Sequence, residues 1–353
     1  MTQIRTKIAG MGYYLPKNVV TNDDLAKVME TSDEWIKERT GIEERRYVTR
    51  FKDTPATMGA EAAKIAIERA GITKDDVDLI IFATLSADYF FPGGGVLVQR
   101  ELGMGTIPAL DVRNQCSGFI YSMTIADQFI RTGTYKNILV IGSESHSAGL
   151  DFSTRGRNVT VIFGDGAGAA IVQPTTEEGK GLLASNIHSD GRYAEKLAFM
   201  NPGSHSGVFT KDFSMYPTEE EEPYASLMIT PKMMETGNYY PNMDGPFVFK
   251  NAVRRFPETI MESLTTAGYT IKDLDMLIPH QANLRIAQFV QKTLQLTDDQ
   301  VYNNIQKYGN TTAASIPIAL CEAWEQGKIK DGDLVCLAAF GSGFTWGSAL
   351  FRW

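Results

Sequence analysis

Short apolar runs and amphipathic stretches alternate along the chain, and the junctions between them carry most of the information. Ile107 to Val112 reads as a short buried strand, and Phe119 to Ile130 sets Phe119, Ile120, Met123, Ala126 and Ile130 at helical spacing. Between them lies Asn114-Gln115-Cys116-Ser117-Gly118-Phe119, so a cysteine stands where a strand gives way to a helix. Unpaired amides and the positive end of the dipole at a helix N-terminus favour thiolate over thiol, which predicts a lowered pKa for Cys116. Gly118 keeps the first turn open. A cysteine among small residues is more often core than nucleophile, and the rest of the pattern has to decide between the two.

The pattern also repeats. Ala70-Gly71-Ile72-Thr73-Lys74-Asp75-Asp76-Val77-Asp78-Leu79-Ile80-Ile81 lines up with Ala267-Gly268-Tyr269-Thr270-Ile271-Lys272-Asp273-Leu274-Asp275-Met276-Leu277-Ile278, each copy after an amphipathic helix and before an apolar strand. Further on, the strand Ile138 to Ile141 pairs with Leu334 to Ala338, and Ala169 to Val172 with Ser348 to Arg352. This predicts an ancient duplication, residues 1–174 and 175–353, each half a mixed sheet flanked by helices. The counterpart of Cys116 falls near Asn310 in Tyr308-Gly309-Asn310-Thr311-Thr312, another polar residue at a strand-to-helix turn. A pseudo-twofold axis would bring the two helix starts together. His280, in Pro279-His280-Gln281-Ala282-Asn283, ends the repeated strand of the second half and points to the same place. A lone histidine is usually structural and an asparagine after glycine usually a turn residue; a cysteine, a histidine and an asparagine at three converging strand ends are a rarer coincidence.

Composition narrows the classes. The chain has 353 residues, 43% of them hydrophobic, enough for a large core. No segment reaches transmembrane length, and the first ten residues carry no cleavage-site pattern, so a cytoplasmic protein is expected. Cys116, Cys321 and Cys336 form no metal-ligand spacing and leave an odd count; Cys321 and Cys336 sit in apolar patterns and read as core. The net charge of −8 disfavours nucleic acid as a partner, and any acidic ligand must meet a local basic patch. Gly164 to Gly168 suggests a phosphate loop, but it leads into a strand rather than a helix, and that reading is rejected.

With these residues in hand, the chain resembles the β-ketoacyl-acyl-carrier-protein synthase III family of the thiolase superfamily. The motifs that carry the resemblance span nearly the whole chain: Thr31 to Ile36, Arg39 to Ile42, Phe163 to Ala170, Pro279 to Arg285, Gly309 to Ser315 and Phe340 to Ser348. The resemblance implies an α/β, thiolase-like fold of duplicated βαβαβαββ halves in a five-layered αβαβα arrangement. It implies Cys116 as the acylated nucleophile, with His280 and Asn310 completing a triad. Trp35, Arg39, Thr40, Arg155 and Asn283 would line the coenzyme A entrance. Phe91 would reach across a homodimer to cap the partner's acyl pocket. Trp35 and Arg39, four apart on a helix, share a face, and an aromatic plane beside a guanidinium can bracket adenine and meet phosphate.

The chemistry suits these residue types. A thiolate attacks an acyl-CoA thioester, and the oxyanion takes two donors, the amides of Cys116 and Ser342. A malonyl thioester on acyl carrier protein then loses carbon dioxide, and its enolate is held by His280 Nε2–H and the Asn310 amide, neither of which brings a permanent charge. No metal or redox cofactor is required; coenzyme A enters only as the substrate thioester. Lys250, Arg254 and Arg285 form a basic group suited to docking an acidic carrier protein, although such clusters are usually solvated faces.

Three features depart from the family pattern. Pro246 stands where an asparagine usually contacts the pantetheine arm, Ser342 interrupts a commonly all-glycine loop, and residues 201–244 are longer than usual and rich in proline and aromatic residues, reading as a lid. The expected reaction is therefore initiation of fatty-acid synthesis, or condensation of longer or unusual acyl chains in a specialised pathway. A papain-like thiol hydrolase also uses Cys, His and Asn, but lacks the duplication; an inert scaffold is the remaining alternative.

Overall fold

The computed structural model describes residues 4–200 and 231–353. Of the expected lid, residues 201–230 lie outside the described residues; beyond them come a helix, Pro231–Thr236, and a two-residue strand, Asn242–Met243, paired with Leu197–Ala198.

Two sheets organise the chain. The first takes β1 (Arg5–Tyr14), β2 (Leu79–Ala83), β3 (Ala109–Val112), β4 (Ile138–Glu144) and β5 (Gly166–Thr175) in the order β1-β5-β4-β2-β3. The second takes β6 (Gly181–Ser189), β7 (Met276–Pro279), β8 (Leu334–Gly341) and β9 (Thr345–Arg352) in the order β7-β8-β9-β6, and an isolated bridge from Val301 to Leu277 extends it beyond β7. Main-chain pairing is parallel for β2 with β4 and for β7 with β8, and antiparallel for β4 with β5 and β8 with β9.

Alternation along the strands divides the core into layers, because successive side chains leave a strand on opposite faces. Ile81, Val140, Ala170, Ile278, Val335, Leu337 and Ala349 pack into one central cluster with two helices, α4 (Gly118–Arg131) and α7 (Ser315–Glu325). The intervening residues Ile80, Phe82, Leu139, Ile141 and Ile171 face α2 (Pro55–Arg69) and α3 (Gly94–Glu101). On the far side Leu277, Cys336, Ala338 and Leu350 face α5 (Gly245–Thr266) and α6 (Leu284–Leu294). The order is helices, sheet, helices, sheet, helices, the thiolase-like arrangement.

The internal repeat is visible in the local chemistry. Gly71 (φ +67°) and Gly268 (φ +80°) end the helices before the repeated segments. Thr73 and Asp76 then cap one turn and Thr270 and Asp273 the other, each threonine hydroxyl 2.7 Å from the carboxylate. Asp78 accepts the Asn137 amide at the start of β4, and Asp275 accepts the Leu334 amide at the start of β8.

Two expectations are corrected here. The strand before the cysteine is only partly buried: β3 is the edge of its sheet, and Leu110 is 39% exposed, with no other element among the described residues pairing with that edge. The counterpart of Cys116 is Ala313 rather than Asn310. Gln115 (φ +44°) and Thr312 (φ +49°) occupy matching left-handed positions before matching helices, at the same spacing of 197 residues that separates Ala70 from Ala267. Asn310 enters three residues before Ala313, through its own backbone pairing to Ile162 and Gly164.

The two turns meet at the centre. A Cβ on Gly118 would touch Ala313, one on Gly142 would overlap the Ala313 carbonyl oxygen, and one on Gly341 would lie 2.5 Å from Cys116 Cβ. Each strand end thus abuts the turn of the opposite half. Since the Ala313 backbone cannot retreat, Gly142→Ala should lower unfolding stability by about 1–3 kcal/mol, the usual cost of overpacking, measurable by denaturant titration.

Candidate active site

Cys116 lies in a 3₁₀ turn, Gln115–Ser117, that joins β3 to α4. The turn is locked by the Ser117 hydroxyl, 2.9 Å from the Asn114 carbonyl oxygen and 2.7 Å from Thr345 Oγ1. The thiol is buried, and burial pushes its pKa up to about 12, with the Glu144 carboxylate adding to the rise. This reverses the lowered value expected from a helix N-terminus. The amides of Ser342 and of Cys116 itself and the Thr312 hydroxyl act to lower the pKa, but desolvation outweighs them. The resting residue is a thiol.

His280 follows β7, its amide bonded to the Ala338 carbonyl of β8. Its Nδ1 lies 2.6 Å from Ser315 Oγ, which also accepts the Gln281 amide at 3.3 Å. The Ser315 hydroxyl proton has no other acceptor among the described residues, so it goes to Nδ1, which leaves the imidazole proton on Nε2. That Nε2 is buried with no partner among the described residues, and burial followed by repulsion from His146 pushes the pKa down to about 3. Asn310 Oδ1 accepts the Thr312 amide at 2.8 Å, so its NH₂ group remains to donate.

The three residues gather at a junction of two cavities. One, about 590 Å³, is lined by Cys116, His280, Asn310, Gly341, Phe249 and Pro246 and runs out to Trp35, Arg39, Thr40, Asn283 and Arg285. The other, about 190 Å³, is predominantly apolar and lined by Cys116, Leu85, Leu150, Phe199, Pro241 and His146. Phe163 and Leu197 border both. The Ser342 hydroxyl is bonded to the Leu197 carbonyl, so what it offers Cys116 is its main-chain amide.

At the outer end of the larger cavity the Arg39 guanidinium rests on the Trp35 ring, 4.4 Å from its centroid. Thr40 spends its hydroxyl on the Ile36 carbonyl and the Ile42 amide. Asn283 caps α6 through the Arg285 amide and donates to the Arg39 carbonyl, tying the Trp35 helix to the His280 segment. Arg155 is elsewhere: its guanidinium is held by Asp151 at 2.7 Å and by the Glu235 carbonyl at 2.8 Å, in a neighbouring depression. Arg157 instead lies over Trp35, at 4.9 Å. Two arginines two residues apart offer no sequence signal to choose between them; the acidic partner of Arg155 decides it.

Lys250 and Arg254 are exposed on α5, but Arg254 is paired with Glu258 at 2.9 Å. Arg285 is exposed on the adjacent α6, at the cavity mouth. Phe91 is 81% exposed against Phe90 and lines neither cavity of its own chain. Sequence reasoning missed Glu144 as an anchor. It accepts from the Thr84 and Ser86 hydroxyls and the Leu85 and Ser86 amides, and burial raises its pKa to about 7. It also missed Ser315 and His146.

Two family models match the chain: 3-oxoacyl-[acyl-carrier-protein (ACP)] synthase III over residues 110–191 and the C-terminal region of the same synthase over 264–353. The chain is 42% identical over 346 residues to beta-ketoacyl-[acyl-carrier-protein] synthase III 1 of Bacillus cereus, covering 98% of each chain. It is 43% identical over 351 residues to the beta-ketoacyl-[acyl-carrier-protein] synthase III of Caldanaerobacter subterraneus subsp. tengcongensis, covering 99% of this chain and 98% of the relative. Among solved structures, the 3-oxoacyl-[acyl-carrier-protein] synthase III of Aquifex aeolicus VF5 superposes with a TM-score of 0.84 at 41% identity, covering 99% and 100% of the two chains.

With pKa values lowered to about 3 and 4, His280 and His146 stay neutral at every pH above 5. Nitrogen-15 NMR of the imidazoles should show no titration of either from pH 5 to 9, with the proton on Nε2 of His280.

Proposed function

The chain belongs to the β-ketoacyl-acyl-carrier-protein synthase III family, acyltransferases of the thiolase superfamily, and we propose that it joins an acyl-CoA primer to a malonyl-acyl-carrier-protein thioester through an acyl-cysteine. The product is a β-ketoacyl thioester for fatty-acid initiation. The observation that carries this reading is the position of Cys116 on the shared wall of two cavities, one with an outer end suited to a nucleotide and the other predominantly apolar.

In this reading the acyl-CoA enters by the larger cavity, its adenine end at Trp35, Arg39 and Arg157. Sulfur attacks the thioester carbon, the oxyanion is held by the amides of Cys116 and Ser342, and the coenzyme A thiol leaves. The acyl chain then occupies the smaller cavity. Malonyl thioester takes the vacated tunnel and loses carbon dioxide; the enolate oxygen receives hydrogen bonds from His280 Nε2–H and the Asn310 NH₂ group, and its carbon attacks the acyl-cysteine. Both donors are neutral, which suits a site where burial opposes charge.

The carrier protein docks, on this reading, at Arg285 of the cavity mouth and the exposed Lys250 of the adjacent α5, and the chain acts as a homodimer. Support for the dimer is the exposed apolar group Tyr89, Phe90, Phe91 and Leu110 beside the open β3 edge, an arrangement that calls for a cover. Phe91 would then cap the partner's smaller cavity.

A thiol hydrolase would turn over acyl-CoA without retaining the acyl group, and an inert scaffold would do neither. Incubation with acyl-CoA followed by intact mass measurement should show one acyl group on Cys116; free acid without adduct, or no reaction, would remove the proposal. Cys116→Ser should lose acylation and keep malonyl decarboxylation, whereas His280→Ala and Asn310→Ala should acylate and lose decarboxylation by about 100-fold or more, the scale of an oxyanion donor. Equal loss of both half-reactions in all three variants would overturn these roles.

The apolar lining of the smaller cavity favours primers longer than acetyl, each buried methylene adding about 0.8 kcal/mol. Acylation rates across acetyl-, butyryl-, hexanoyl- and octanoyl-CoA should therefore peak beyond acetyl; a steady fall from acetyl would leave ordinary acetyl priming as the preferred activity.

A further inference from the structure

Arg155, expected at the coenzyme A entrance, is built into a different structure. Its fixed point is Asp151, which is buried and held on two sides. Asp151 Oδ1 accepts the Ser153 amide at 3.0 Å and the Ser153 hydroxyl at 2.7 Å, and its main-chain carbonyl accepts the Thr160 hydroxyl at 2.6 Å. Asp151 Oδ2 takes Arg155 Nε at 2.7 Å. The far end of the guanidinium then reaches outward, and Nη1 donates to the Glu235 carbonyl oxygen at 2.8 Å. The same cation lies over the Tyr240 ring, 5.6 Å from its centroid. Gly237 packs against it at φ +86°, and a Cβ there would lie 2.9 Å from Arg155 Nε. Glu235, Gly237 and Tyr240, all in one turn, thus meet a single arginine. A planar guanidinium can make both bonds and still present a face to a ring, which an ammonium cannot.

The turn held in this way continues into a partition. Pro241 lines both the smaller cavity and the depression of about 270 Å³ that contains Asp151 and Arg155. Met243 lines the same depression and the larger cavity. Asn242–Met243 pairs with Leu197–Ala198, and Tyr239 meets Phe199 edge-on with ring centroids 6.0 Å apart. Leu197, Ala198 and Phe199 line the smaller cavity together with Pro241, so one side of that cavity leans on the turn that Arg155 holds. We propose that Arg155 is a positioning residue that determines specificity: by clamping the 235–240 turn to Asp151 it keeps Pro241 between the smaller cavity and the depression beside it, and so sets the longest acyl chain that the enzyme accepts.

Arg155 itself lines neither active-site cavity, so its effect on substrate passes through Pro241. With the clamp in place an acyl chain has the smaller cavity, about 190 Å³. With the turn released, Pro241 can yield and the chain gains part of the depression, whose lining includes Val159, Tyr240 and Met243. Each further methylene taken out of water favours the bound chain about fourfold, so two of them amount to about tenfold or more. The gain falls only to chains long enough to reach past Pro241. A defect in binding coenzyme A, by contrast, would weigh equally on every chain length.

This inference rests on the acyl-cysteine reading, with the acyl chain in the smaller cavity, and its test separates the two. Arg155→Ala removes the clamp from one side, and Gly237→Ala disturbs it from the other through the close approach to Nε. Arg155→Lys keeps a charge for Asp151 without the second bond. In full-length protein, acylation rates and apparent KM are measured for acetyl-, butyryl-, hexanoyl- and octanoyl-CoA by rapid-quench mass measurement, and amide hydrogen exchange is followed over residues 233–243. Arg155→Ala and Gly237→Ala should raise the octanoyl-to-butyryl ratio of acylation rates about tenfold or more, with acetyl changed less than about threefold. Arg155→Lys should recover part of the butyryl preference. The Tyr239 and Tyr240 amides, bonded within the turn to the Met233 and Gly237 carbonyls, should exchange faster in both alanine variants. An unaltered chain-length profile in both, a loss equal at every length, or a shift toward shorter primers would overturn the proposal. So would a rise in KM shared by all four thioesters, which would return Arg155 to the nucleotide entrance. No adduct from any of the four on the unsubstituted protein would count against the acyl-cysteine reading instead, and hydrogen exchange would still judge the clamp.

Discussion

The centre of this molecule depends on a close approach of backbones. Two helices, α4 and α7, are packed between two sheets, and their first turns can meet only where side chains are absent or small. Gly118 faces Ala313, Gly142 backs onto the Ala313 carbonyl and Gly341 backs onto Cys116. These contacts bring the sulfur, the Ser342 amide and the 310–312 segment within reach of one another. The catalytic arrangement and the symmetry of the fold are therefore one constraint, because the same contacts that join the halves position the reacting groups.

Burying that junction sets its electrostatics. Desolvation raises the Cys116 thiol and the Glu144 and Asp165 carboxyls, and it lowers both imidazoles. A site of this kind opposes permanent charge and favours neutral donors aimed at charge that forms during reaction. The Ser315 contact to His280 and the Gly164 contact to His146 give the two rings opposite tautomers, one offering a proton and the other a lone pair. Two histidines in one site can thus play complementary parts without either titrating in the neutral range.

The outer surface follows a different logic. Trp35 carries an arginine from its own helix and another from the segment before β5, while Arg155 is retained by Asp151. The β3 edge and the aromatic residues from Tyr89 to Phe91 expose apolar surface among the described residues. These features make sense once a nucleotide and a second copy are considered, as the proposed function does.

The sequence by itself showed the alternation of strands and helices, the repeat, and Cys116, His280 and Asn310 as candidate residues beside strand ends. These are read from short-range periodicity, from capping residues such as Thr73 and Asp76, and from residue types at strand ends, all of them local properties of the chain. The tertiary structure alone decided whether the thiol's pKa falls or rises, since a helix terminus is visible in sequence and desolvation is not. It alone decided that Arg157 rather than Arg155 meets Trp35 and that the strand before Cys116 is an open edge. His146 and Thr312 lie 166 residues apart. No pattern within either segment brings them together; their contact exists only because two halves of the chain close on one another around a buried sulfur.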